Sequence, residues 1–90
     1  MKEYVITVDV YAHWGDKPPR YRVFVDNDML TERDFLWSGG DTYIRENIIV
    51  NLSPGPHKLS VKQVAGSGGN IDPKNITLNG APSSMDFFTS

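Results

Sequence analysis

Apolar and polar residues alternate with period two along much of this chain. From Lys2 to Tyr11, residues Tyr4, Ile6, Val8 and Val10 share one face, and Val5, Thr7, Asp9 and Tyr11 the other. Such alternation predicts a half-buried β-strand. Thr42 to Leu52 repeats it, with Ile44, Glu46, Ile48, Val50 and Leu52 opposite Tyr43, Arg45, Asn47, Ile49 and Asn51. The adjacent Ile48 and Ile49 predict partial cover on both sides, or a bulge. His57 to Val64 turns Leu59 and Val61 inward, and a last short strand from Asn75 to Gly80 turns Ile76 and Leu78 inward.

Between the first two of these runs, Tyr21 to Phe35 reads as a β-hairpin around Asp26-Asn27-Asp28, residue types that tolerate positive φ. Charge decides its register. A two-residue loop at Asn27-Asp28 would set Arg22 against Arg33. A three-residue loop, Asp26 to Asp28, pairs Arg22 with Glu32 and Arg20 with Asp34, and also Val25 with Met29, Val23 with Thr31 and Phe24 with Leu30. Favourable cross-strand pairs contribute roughly 0.2–1 kcal/mol each, which selects the three-residue loop.

Breakers separate the runs. Pro18-Pro19 ends the loop that carries His13 and Trp14, the hairpin ends near Trp37, and Ser38-Gly39-Gly40-Asp41 is a turn. Ser53-Pro54-Gly55-Pro56 is a tight turn, Ala65 to Asn70 is too glycine-rich to hold structure alone, and Ile71-Asp72-Pro73 is excluded from a central strand. After Asn79-Gly80 the strand pattern stops. Residues 1–80 are expected to form the domain and 81–90 a C-terminal extension, with a linker-like Ala-Pro-Ser-Ser start ahead of Met85, Phe87 and Phe88. With no amphipathic helix or repeat, the pattern predicts an all-β fold: a small antiparallel β-sandwich, jelly-roll-like, of about six strands.

Composition narrows the chemistry. Ninety residues, 39% hydrophobic, suffice for one domain with one modest core. Nine Lys and Arg against eleven Asp and Glu leave a net charge of −2, without the basic excess that phosphate contact needs, so nucleic acid is not an expected partner. The absence of cysteine excludes disulfides and thiolate metal sites. The charged, alternating start lacks an apolar signal segment, and no run is long enough to span a membrane, so the chain is expected to be made in the cytoplasm.

No reaction is spelled out. His13 and His57 have no ligand-spaced partner, and Ser83, Ser84 and Asp86 have no committed histidine. Gly66 to Asn70 lacks the following helix of a phosphate cradle, and the Asn75-Ile76-Thr77 sequon has meaning only on a secretory route. Asp26, Asp28 and Glu32 are close in sequence, but calcium takes six to eight oxygens, and a turn with the Arg22–Glu32 ion pair is the better account of them. Trp14, Trp37, Tyr21 and Tyr43 are candidates for a sugar platform or an interface anchor, against the plainer reading of core and strand-pairing residues. Trp14, in a loop, is the best of these.

Three pieces resemble the calcium-dependent carbohydrate-binding modules that recognise xylan. Val23 to Asp28 is similar to their V-x-V-D-G hairpin, Leu52 to Val61 to their L-x-P-G-x-H-x-L/V-x-V strand–turn–strand, and Asn75 to Gly80 to their closing V-x-V-N-G. The resemblance covers roughly Tyr21 to Gly80 and implies a jelly-roll sandwich, with glycan as ligand and calcium at Asp26, Asp28 and Asp72. Of the family's calcium loop only Asp72 could serve here. The compact form and apolar tail also resemble small accessory β-proteins of tailed-phage virions.

The expected function is therefore a non-enzymatic structural or interaction module without a cofactor, such as a virion decoration, cement or baseplate accessory protein. It would bind larger subunits through Trp14, Tyr43, Met85, Phe87 and Phe88 and reside in the virion if phage-encoded. The alternative is a carbohydrate-binding module using Trp14 and Tyr43.

Overall fold

The computed structural model describes residues 1–14, 16–36, 43–66 and 68–90. The expectations for Trp37 and for the Ser38–Asp41 turn fall outside them. Among the described residues eight strands form: β1 (Lys2–His13), β2 (Arg20–Val25), β3 (Asp28–Asp34), β4 (Tyr43–Leu52), β5 (Gly55–Gln63), β6 (Asn70–Leu78), β7 (Ala81–Pro82) and β8 (Asp86–Thr89). They make two four-stranded antiparallel sheets, ordered β4-β1-β6-β7 and β3-β2-β5-β8, packed as a small β-sandwich with no helix among the described residues. The count exceeds the expected six because β7 and β8 are too short to show alternation.

Alternation does place the core. Tyr4, Ile6, Val8, Val10 and Ala12 of β1 meet Tyr21, Val23 and Val25 of β2 and Leu59 of β5, with Ile48, Leu52, Phe35 and Phe87 closing the sides. Fully burying such a side chain contributes roughly 1.5–3 kcal/mol, so one shared layer holds both sheets. Tyr21 thus belongs to the core and not to a surface platform. Ile49 points away from the core and is 67% exposed, and β4 pairs with β1 without a register shift. The Ile48-Ile49 doublet is therefore not bulged, and its outer side has only slight cover.

In the hairpin, Arg20 opposes Asp34, Arg22 opposes Glu32 and Val23 opposes Thr31, as charge dictated. Nearer the tip the pairs are Phe24–Met29 and Val25–Asp28, in place of Phe24–Leu30 and Val25–Met29. The loop has two residues, Asp26 and Asn27, both at positive φ (52° and 74°). That geometry matches the strand twist, and a bulge at Leu30 absorbs the extra residue.

Two further expectations need correction: the last long strand starts at Asn70 and not at Asn75, and residues 81–90 belong to the sheets. Pro73 lies inside β6, opposite Val10. Thr7 and Val5 direct their backbone groups towards β6, where Asn79 exchanges bonds with Val5, so Val10 directs its own towards β4. Pro73 therefore needs no N–H towards β1. Among the described residues its far side is an open edge, because β7 pairs only with Thr77 and Leu78. A bulge at Asn75 (φ 55°) makes the local shift.

The other correction concerns residues 81–90, which do not stand apart from the sheets. Asn79-Gly80 closes a tight hairpin into β7, the Leu59 amide donates to the Met85 carbonyl at 2.7 Å, and β8 pairs with Gly55–Lys58. Phe87 is only 6% exposed, and Met85 packs against the core. Phe87 is therefore not presented to a partner, and Met85 is half-buried. A phenylalanine gains more from this core than from water, and the free edge of β5 supplies the backbone bonds that hold it there.

Candidate functional site

The outer face of the first sheet collects the most varied chemistry. Its outward rungs follow from register: Tyr11 opposes Tyr43 across β1 and β4, Asp9 opposes Arg45, and on the other side Asp9 opposes Lys74 and Tyr11 opposes Asp72. The Tyr11 and Tyr43 rings lie 5.0 Å apart at 36°, Arg45 sits 5.9 Å from the Tyr43 ring centre, and Lys74 sits 5.0 Å from that of Tyr11. Lys74 also reaches Asp72 at 3.5 Å. Cations over ring faces are attracted by the ring quadrupole, so the four side chains order one another.

Asp9 anchors the patch from beneath. Its side chain is 3% exposed, although it belongs to the outer face, because Arg45 and Asn75 lie over it. Arg45 Nε donates to Oδ1 at 2.8 Å and Asn75 Nδ2 to Oδ2 at 3.0 Å. The Arg45 hydrogen bond, partly offset by burial and aided by Asn75, holds the Asp9 pKa below the usual carboxylate range. Arg45 is in turn pushed up, first by Asp9.

Glu46 is the second inaccessible acid and faces the other way, into the sandwich beside Val8. The Tyr21 hydroxyl donates to it at 3.1 Å and Arg33 Nε at 2.6 Å. Burial first, then the Glu46 charge and hydrogen bond, push the Tyr21 pKa far up. This group ties β4 of one sheet to β2 and β3 of the other. An acid on an apolar face cannot be buried alone, so Glu46 in the alternating run was the signal for such a partner.

A third cluster lies where the β2–β3 turn, the β4–β5 turn and β8 meet. His57 contacts the Asp26 carboxylate through Nδ1, and its Nε2 lies 2.7 Å from the Ser53 carbonyl. Asp26 also accepts the Lys58 amide at 2.8 Å, and Thr89 Oγ1 donates to Ser53 at 2.7 Å. The ring packs 5.7 Å from that of Phe87. Both nitrogens face acceptors, which suits the doubly protonated ring, and the His57 pKa is raised, first by Asp26 and then by Ser53. A His–Asp pair is part of many catalytic sites, but here Nε2 is committed to a backbone carbonyl and cannot serve a nucleophile. The cluster is a clamp.

A scan against protein-family models, a search of the curated proteins and a search of the solved structures each gave no match.

The residues singled out from the sequence are thus dispersed. Tyr43 lies in the outer patch, and Trp14, 37% exposed, follows β1 at the same end of that sheet. Phe88 projects from the outer face of the second sheet and is 76% exposed. Asp72 lies at the Tyr11 end of the first sheet, whereas Asp26 and Asp28 lie at the hairpin tip near Ser53, so the three do not form a calcium set. Among the described residues no three His, Asp or Glu converge as metal ligands. Sequence reasoning missed Tyr11, Asp9, Arg45 and Lys74 as a group. Their outward parity was visible, but the register joining β1 to β4 and β6 was not.

Proposed function

We propose that the protein is a non-enzymatic interaction module that adheres to larger structural subunits, the work of a decoration, cement or baseplate accessory component of a virion. The observation that supports this reading is two-sided display from a rigid block. Tyr11 and Tyr43 stand on the outer face of the first sheet. Phe88 stands on that of the second, fixed by the buried Phe87 beside it. Ordered aromatic anchors lose little side-chain entropy on docking, and anchors on opposite faces suit a bridge between two bodies. Mass spectrometry of purified particles from a source of this sequence tests the reading: the chain should copurify, and Phe88→Ser should reduce its incorporation. Its absence from washed particles refutes the virion assignment.

The outer patch favours a second reading, glycan binding. Tyrosine rings bordered by Arg45, Lys74, Asp72 and Asn75 combine flat apolar area with hydrogen-bonding groups, as sugar recognition requires. Calcium has no part in it. Calorimetry with a glycan panel should give heats that survive a chelator and vanish in Tyr43→Ala, and silence across the panel removes this reading.

A further inference from the structure

The four sheet edges are unequal. The edge strand β3 carries a bulge at Leu30 and the charges Asp28, Glu32, Arg33 and Asp34. The edge strand β8 has four residues. The β6–β7 edge carries Pro73, Pro82 and the bulge at Asn75. Bulges, prolines, charges and shortness are the devices that stop a sheet edge from pairing with another chain. The edge strand β4 has none of them in effective form. It runs ten residues without proline or glycine, keeps one register against β1, and has its two charges committed elsewhere, Arg45 to Asp9 and Glu46 to Tyr21 and Arg33.

The direction of its backbone groups follows from bonds already described. Val5 directs its N–H and C=O towards Asn79, on the β6 side. Its partner Ile49 must then direct its own away from β1, as do Arg45, Asn47 and Asn51 by parity. The same residues carry their side chains on the outer face.

We propose that β4 pairs antiparallel with β4 of a second copy of this chain, about a two-fold axis at Asn47, joining the two first sheets into one. The register is self-complementary. Asn47 meets the partner's Asn47, Arg45 meets the partner's Ile49, and Tyr43 meets the partner's Asn51, so no like charges oppose and the exposed Ile49 gains a neighbour. The assembly closes at two copies. Every other edge is blocked, so a filament has no site on which to grow.

Sedimentation of the full chain over a concentration series should show a monomer–dimer equilibrium. Asn47→Lys sets two ammonium groups opposite each other at the axis, and should weaken the dimer at least about tenfold. Ile49→Pro removes an N–H that no described residue of the monomer accepts, and should do the same without costing a bond to β1. Thermal unfolding of each variant at monomeric concentration checks that it folds. Hydrogen exchange supplies a second readout. Amides of Arg45, Asn47, Ile49 and Asn51 should slow as concentration rises, while those of Ile44, Glu46, Ile48 and Val50 stay slow throughout. A chain monomeric at every concentration overturns the proposal, as does a dimer that tolerates both substitutions or leaves the odd-numbered amides fast.

Discussion

In the first sheet, β1 runs through the middle and pairs along most of its length with β4 on one side and β6 on the other. The second sheet is a patchwork: a hairpin, then β5, then a four-residue strand attached to the start of β5. The first therefore draws its order from long backbone ladders. The second depends on a few side chains where β8 joins β5, chiefly Phe87 and His57, while the Arg20–Arg22–Glu32 cluster at its other edge is solvent-accessible and adds little. Backbone ladders spread the cost of any single change over many rungs. Joints concentrate it.

The largest effects should accordingly fall on the joints. Phe87→Ala should lose about 3–5 kcal/mol in urea unfolding, the range for an aromatic removed from a core. Truncation after Gly80 should cost at least as much. A truncated chain with unaltered stability would show that β8 adds nothing to the second sheet.

Next comes the tie between the sheets. Glu46→Ala strands the Tyr21 hydroxyl in the core and should cost about 1–3 kcal/mol. Asp9→Ala, on the outer face, should cost less than about 1 kcal/mol, because its partner Arg45 is more than half exposed and can be hydrated. Equal losses in the two variants would remove the distinction between an acid buried by a sheet and one covered by side chains.

The His57 clamp should make the second sheet lose stability on the alkaline side, whereas on the acid side both sheets carry a carboxylate of lowered pKa, Asp9 in the first and Asp26 in the second. The His57 pKa is raised from 6.5 in the folded state, so its contribution is complete below pH 6.5 and fades as pH rises through the folded value. Burial tends to raise the Asp26 pKa, but His57 and the Lys58 amide outweigh it and hold it below 3.8; that contribution is complete above pH 3.8 and fades as pH falls. Melting temperature should decline on the alkaline side in the native chain, and less steeply in His57→Gln. An unchanged slope would acquit the clamp.

The smallest effect is expected at the hairpin. Glu32, its pKa lowered first by Arg22 and then by Arg20, makes exposed ion pairs with both. A double-mutant cycle on Arg22 and Glu32 should give a coupling of a few tenths of a kcal/mol. A coupling of several kcal/mol would place this corner among the strong joints.

The faces of β1 and β4 and the Arg22–Glu32 rung were legible because period and charge are local signals. The turn was not. Asp26-Asn27-Asp28 suits loops of either length, and a bulge at Leu30 restores the outer pairs whichever forms at the tip. The strand β8 was hidden because four residues cannot show a period, and because its partner begins within Ser53-Pro54-Gly55-Pro56, which reads as a turn. Pro73 was misplaced because the open side of β6 is a property of the sheet. The outer patch stayed hidden for the same reason, since Tyr11 and Tyr43 meet only through a register between distant segments.

The path of β1 has a kinetic consequence. Lys2 pairs with Leu52 and Ile6 with Leu78, so the first sheet cannot close until large chain loops have closed. The β2–β3 hairpin has no such delay, and hairpins of its kind form in roughly 1–10 μs. Folding should then start in the sheet that is weaker at its joints, while the stronger one zips up last, on the millisecond-to-second scale of non-local β topologies. Substitutions at the hairpin turn should slow refolding, and those along β4 should mainly hasten unfolding.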